Sequence, residues 1–141
     1  MENASTAPAR KPSSRPPIKL CESDADTLSE LAMRMESRQP QLAAMLMAEI
    51  DRAKIVPDAR LPKDVVAMGA TVRFSDETAG TERVAQLVYP HQADLEAGRI
   101  SVLTPVGAGL IGLREGQSIR WKDRDSHERI FRIIEVVPAA R

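Results

Sequence analysis

Residues 107–112 read GAGLIG, a match to G-x-G-x-x-G at Gly107, Gly109 and Gly112. In a nucleotide-binding enzyme such glycines let backbone N–H groups approach a pyrophosphate at a helix start. Other chemistry-bearing letters are few. Asp125-Ser126-His127 contains the residue types of a hydrolytic triad, but a triad is assembled in space and three neighbours in a polar turn do not converge. His91 and His127 are isolated in sequence, so neither belongs to a cluster with metal-ligand spacing. Cys21 is the sole cysteine, which excludes an internal disulfide and any multi-cysteine metal site. It reads as a small, partly buried residue. Glu36-Ser37-Arg38-Gln39 sets one carboxylate beside one guanidinium, a poor offer to a hard cation that wants several oxygens.

The surroundings decide what the glycines do. A dinucleotide site needs strand, tight turn, helix and a second parallel strand carrying an acid about 20 residues on. A strand at Ile100–Leu103 is present, but the segment beyond Gly112 reads as a hairpin and not as a repeated βαβ unit. A helix explains the same letters. Thr104 suits the N-cap and Pro105 the first helical position, where its missing N–H is harmless. Ala108, Leu110, Ile111 and Leu113 supply apolar faces, and Gly116 suits a left-handed cap. Each interior glycine weakens a helix by about 1 kcal/mol against alanine, so close backbone approach is the expected reason for Gly107, Gly109 and Gly112. Catalytic residues, metal ligands and cofactors are expected to be none.

The chain of 141 residues holds 20 basic and 20 acidic residues. A neutral balance argues against a general phosphate-backbone binder without excluding a local patch. The aromatics Phe74, Tyr89, Trp121 and Phe131 are dispersed and form no base-stacking platform. No apolar run reaches membrane-spanning length and no secretory leader is seen; the expectation is a cytoplasmic monomer that touches neither membrane nor specific nucleic-acid sequence.

Residues 1–17 are rich in Pro, Ser, Ala and basic residues and read as a disordered tail. Arg10, Lys11 and Arg15 leave a polyanion-binding arm as the alternative. From Ile18, two amphipathic helices are expected over about 24–36 and 41–54, the first opening on a capping-box-like Ser23-Asp24-Ala25-Asp26. The tight connection at Ser37–Pro40 makes them an antiparallel hairpin, each arm about 20 Å long. Met33 and Met47 lie off the apolar stripes. Residues 57–141 read as a small antiparallel sheet with one short helix: strands near Val72–Phe74, Val84–Val88 and Ile100–Leu103, a helical turn at Asp94–Gly98, and a hairpin of Ile119–Trp121 with Ile130–Val137. The layout is α+β.

Thr104-Pro105-Val106-Gly107-Ala108-Gly109-Leu110-Ile111-Gly112-Leu113, followed by Gly116, resembles the S-P-x-G-x-A-L-L-G…G-D pattern of the C-terminal domain of Gre-type transcript cleavage factors. The stretches LPKDVVAMGATVRF and RVAQLVYP precede it in the same order. The combination is most similar to the regulator of nucleoside diphosphate kinase family, short-hairpin relatives of the Gre factors, and covers about residues 18–137. It departs from the pattern at Gly109 (Ala is usual), at Gln117 (Asp is usual), and in the turn Asp123–Glu128, which lacks Pro-Gly-Gly.

The resemblance implies a helical hairpin at 18–56 and an FKBP-like domain at 57–141. It also implies docking on bacterial RNA polymerase at the rim of its secondary channel. Thr104, Pro105, Val106, Gly107 and Ala108, with Tyr89 nearby, are the expected contact surface; a purely structural helix is the alternative. The cleavage factors carry acidic residues on a longer hairpin. Here the tip is Glu36, Ser37, Arg38 and Gln39, so the expected action is occupation of the docking site and exclusion of longer-hairpin factors. Two competing readings are a prolyl isomerase, from the FKBP-like fold, and a true cleavage factor with a short hairpin.

Overall fold

A computed structural model describes residues 16–122, 125 and 127–139, without the side chains of Trp121 and Lys122. Residues 1–15 of the expected tail and residues 123, 124 and 126 of the last turn lie outside the described residues. The chain runs β1 (Lys19–Cys21), α1 (Glu22–Met35), α2 (Pro40–Arg52), β2 (Lys54–Val56), β3 (Thr71–Asp76), β4 (Thr81–Val88), β5 (Arg99–Ser101), α3 (Pro105–Leu110), β6 (Ser118–Lys122) and β7 (Glu128–Val137).

The two helices form as their apolar periodicity requires. Leu28, Leu31 and Ala32 of α1 and Ala43, Leu46 and Ile50 of α2 are buried. The expected start of α1 is corrected. Cys21 is the N-cap and no side chain caps the helix. Tertiary partners have taken the candidate side chains instead: Ser23 donates through its N–H and its hydroxyl to Asp58 (3.0 and 2.6 Å), and buried Asp24 accepts from the Met68 N–H at 3.0 Å. In α2, Pro40 begins the helix rather than ending the connection, because a first-turn proline forfeits no helical hydrogen bond.

Sequence periodicity gave no sign of β1 and β2, each three residues long. They pair in parallel, Lys19 with Lys54, Leu20 with Ile55 and Cys21 with Val56. Parallel pairing needs a long crossover, and the whole helical hairpin is that crossover. Buried Glu49 and Arg52 pair at 2.8 Å, and Arg52 Nη1 also donates to the Pro16 carbonyl at 2.5 Å. Pro16 and Pro17, at the end of the expected tail, are thus tied to the fold, Pro16 being buried.

The larger sheet has the order β5-β4-β3-β7-β6. It is mixed, not antiparallel as expected: β4 and β5 run parallel, with Gln86 opposite Arg99, Leu87 opposite Ile100 and Val88 opposite Ser101. The reason lies in residues 89–98. A short 3-10 turn at Pro90–Gln92 is followed by a reverse turn in which Asp94 and Arg99 exchange backbone hydrogen bonds (3.0 and 2.9 Å), and this second reversal restores the original direction. Within it, Ala97 N–H donates to Asp94 O and Gly98 N–H to Leu95 O (3.1 Å each), so the helical turn expected at Asp94–Gly98 is the tip of this reversal.

One core joins hairpin and sheet. Ile18, Leu20, Leu28 and Leu46 pack with Val66, Val72, Phe74, Leu110, Leu113 and Ile133. Phe74 and Phe131 meet inside it with ring centroids 5.2 Å apart. Asp76, buried at the far end of β3, pairs with Arg129 of β7. Burial pushes its pKa up, but hydrogen bonds from Arg129 and from the Ala79 and Thr78 backbone, with the Arg129 charge, outweigh that and hold the carboxyl below its ordinary value.

Candidate docking surface

Ser101 ends β5 and begins the corner that carries the glycine motif. Its carbonyl accepts from the Thr104 N–H at 3.1 Å and from the Thr104 hydroxyl at 2.7 Å, and its own hydroxyl accepts from the Leu103 N–H at 3.0 Å. Thr104 is the N-cap of α3, its Oγ1 accepting from the Gly107 N–H at 3.0 Å, and Pro105 occupies the first turn. Thr104 thereby donates to the strand and accepts from the helix. This fixes the corner without any partner bound.

The glycines have separate causes. A Cβ at Gly107 would stand 2.1 Å from the Ser101 carbonyl oxygen and 2.9 Å from Val102 Cα. Gly112 has φ +82° and would press a Cβ to 2.8 Å from Ile18 Cβ. Its N–H donates to Val66 O and its carbonyl accepts from Lys19 N (2.8 and 3.1 Å), so it locks the hairpin base onto the sheet domain. Gly109 faces only Ile119 Cδ1 at 3.7 Å, ordinary contact; close approach does not explain it. The helix stops at Leu110, and Gly116, although at φ +89°, lies beyond it and caps nothing.

The expected contact residues divide. Thr104 and Pro105 are exposed and Val106 is half-buried against the core, whereas Gly107 and Ala108 are buried. The surface this segment can present is Thr104, Pro105 and the outer part of Val106; Gly107 and Ala108 support it from beneath. Leu110, Ile111 and Leu113 face the core as expected. Tyr89 follows β4 directly and is half-buried, its ring stacked near His91 with centroids 6.5 Å apart. Because β4 and β5 are parallel, their C-terminal ends lie side by side, and Tyr89 and the Thr104 corner share one edge of the sheet.

The tip residues Glu36, Ser37, Arg38 and Gln39 are all exposed, and the turn closes through the Arg38 and Gln39 N–H groups donating to Met35 O (3.1 and 2.7 Å). Beneath the tip an open groove of about 280 Å³ runs along Met33, Pro40, Ala43, Ala44 and Met47. Met33 is 63% exposed, and Met47 packs partly on the core. No cluster of three or more His, Cys, Asp or Glu side chains capable of holding a metal occurs among the described residues.

What sequence reading missed is the joint that aims the hairpin: Asp24 to Met68, Lys19 to Gly112, and the parallel ribbon. Asp24 in a first helical turn reads as a dipole partner, and no local signal distinguishes that role from a tertiary acceptor.

Residues 61–138 match the family model described as transcription elongation factor, GreA/GreB, C-term, and residues 16–56 match that described as Rnk N-terminus. The regulator of nucleoside diphosphate kinase of Escherichia coli (strain K12) is 38% identical over 109 residues, spanning 77% of this chain and 80% of that one. The transcription elongation factor GreA of Azorhizobium caulinodans is 38% identical over 105 residues, 74% of this chain and 66% of that one. Among solved structures, a prokaryotic transcription elongation factor GreA/GreB from Nitrosomonas europaea superimposes with a TM-score of 0.71 at 35% identity, covering 86% of this chain and 99% of that one. With its short hairpin leading into a Gre-type C-terminal domain, the chain belongs to the regulator of nucleoside diphosphate kinase family within the Gre-type transcription elongation factors.

Proposed function

We propose that the protein is a non-catalytic transcription regulator. It docks on bacterial RNA polymerase beside the secondary channel and displaces Gre-type cleavage factors by occupying their site. The observation that carries this reading is the pairing of a rigid, outward Thr104–Pro105 corner beside Tyr89 with a hairpin tip holding one carboxylate, Glu36, next to Arg38. The first supplies a surface for attachment. The second lacks the several oxygens that would position a hard divalent cation, and α1, of 14 residues, reaches only about 20 Å. Exclusion of a competitor requires shared surface and affinity, not chemistry.

The isomerase reading loses its support. Phe74 and Phe131 are sealed in the core and cannot line a proline pocket. The protein acts as a monomer in the compartment of its polymerase; none of the described helices is long and apolar enough to cross a membrane.

The test is association with core polymerase, competed by a cleavage factor, followed by transcript cleavage in backtracked complexes. The expected result is micromolar or tighter association and inhibition of the competitor. Accelerated cleavage by the protein alone would make it a cleavage factor, and absence of association at low ionic strength would end the reading.

A further inference from the structure

The joint between hairpin and sheet domain borders a second feature, distinct from the Thr104–Pro105 docking corner. A half-open surface pocket of about 240 Å³ lies between the β1–β2 ribbon and the segment after α3, with Pro17, Ile18, Val65 and Gly112 as walls and half-buried Lys19 and exposed Lys54 and Arg114 around it. No carboxylate lines it. Lys19 and Lys54 are direct partners in the parallel register, so their side chains leave the same face of the ribbon side by side. Like charges placed opposite each other destabilise a sheet. Neither they nor Arg114 form an ion pair among the described residues, so all three remain available to an anionic ligand. In a chain with equal numbers of acids and bases, this pocket gathers three cations and no carboxylate in its lining.

The frame is built before any ligand arrives. Gln117 Oε1 accepts from the Arg114 N–H at 2.8 Å while its Nε2 donates to the Pro17 carbonyl at 3.1 Å, and Lys19 N donates to Gly112 O. The positions of Arg114 and Lys19 are thus tied to the same two walls.

We propose that this pocket binds a di- or triphosphate, either free or as the phosphate chain of a nucleotide, with Lys19, Lys54 and Arg114 as its ligands. A multivalent phosphate relieves the Lys19–Lys54 repulsion and presents enough oxygens for two ammonium groups and one guanidinium. The aliphatic walls leave room for an apolar portion. The site spans both parts of the chain, so occupancy stiffens the joint that aims the hairpin. This assignment does not rest on the polymerase reading.

The experiment is calorimetric titration of the full chain, at low salt and without polymerase, with inorganic pyrophosphate, tripolyphosphate, ATP and GTP, alongside a glutamate-rich peptide of equal charge. The expected result is saturable one-to-one binding of the phosphates with Kd below about 1 mM, weakening as salt rises. Tighter binding of ATP or GTP than of tripolyphosphate assigns a nucleotide; equal binding assigns the phosphate chain alone. Lys54→Gln and Arg114→Gln each weaken binding about tenfold, the loss of one charge-assisted contact. Lys54→Gln leaves the melting temperature unchanged or raised, since it removes a like-charge pair, and Arg120→Gln, a cation elsewhere, leaves binding unaltered. No saturable heat in the millimolar range, binding undiminished in both variants, or a peptide that binds where tripolyphosphate does not would each overturn the proposal.

Discussion

The Val102 N–H donates to the Val88 carbonyl at 2.9 Å. This bond continues the parallel β4–β5 ladder one step beyond Ser101 and joins the residue before Tyr89 to the loop that becomes the Thr104 corner. Had β5 returned antiparallel to β4, the corner would have emerged at the opposite end of the sheet, near the buried Asp76–Arg129 pair. The docking surface proposed for this protein exists because the chain reverses twice between Tyr89 and Arg99.

On the proposed docking surface, that placement puts Tyr89 and Pro105 in one contact. Pro105→Ala and Tyr89→Ala are each expected to weaken polymerase association, Tyr89→Ala by at least about tenfold if the ring is a central anchor. Thermal melting must show Pro105→Ala folded as the parent. Glu36→Gln should leave association unchanged. Val106→Asp is the poorer probe, because Val106 is half-buried on the core and the substitution perturbs packing as well as surface.

The two glycines of α3 should respond in opposite directions. Gly107→Ala forces a methyl onto the Ser101 carbonyl and is expected to cost several kcal/mol, about 3 or more, in urea unfolding. Gly109→Ala meets only ordinary contact and lies within a helix, so a gain of about 0.4–1 kcal/mol is expected. Equal effects at the two positions would contradict the packing described for α3.

Asp24→Ala removes the carboxylate that accepts from the Met68 N–H. The expected loss is about 1–3 kcal/mol, the range for disrupting a buried hydrogen bond. The Met68 amide should also exchange with solvent faster, while amides of β3 and β7 change only as far as global stability does. This separates loosening of the hairpin joint from general destabilisation.

Asp76 makes stability pH-dependent in acid. Its folded pKa is depressed, so the native state favours the carboxylate. Its contribution is fully present above the unfolded value near 4 and is lost as pH falls through the lower folded value. Asp76→Asn should flatten the acid limb of the stability profile below about pH 4 while lowering stability at neutral pH. A profile unchanged by the substitution would show that the Arg129 pair adds nothing.

The chain's periodicity settled much of this molecule. Leu28, Leu31, Leu46 and Ile50 recur at helical spacing, Val72 and Phe74 alternate, and Thr104-Pro105 reads as a helix start; each of these features appears where those local rules put it. The motif as a whole also carried the family. Local rules see only a few neighbours, however. They could not show that Ser23 and Asp24 would leave the helix cap for Asp58 and Met68, since those partners lie in the next part of the chain. Three-residue strands such as β1 and β2 are too short for alternation to register. Strand direction was likewise silent, because a strand's letters are the same whichever way it pairs; the reversal at Asp94–Arg99 made the sheet mixed. Nor do the letters GAGLIG separate a glycine that admits a neighbouring carbonyl, Gly107, from one that turns the chain at positive φ, Gly112, or from Gly109, for which the structure shows no steric need. Only the folded chain brings Ser101 and Ile18 against them, and that contact, not the spacing, decides what each glycine is for.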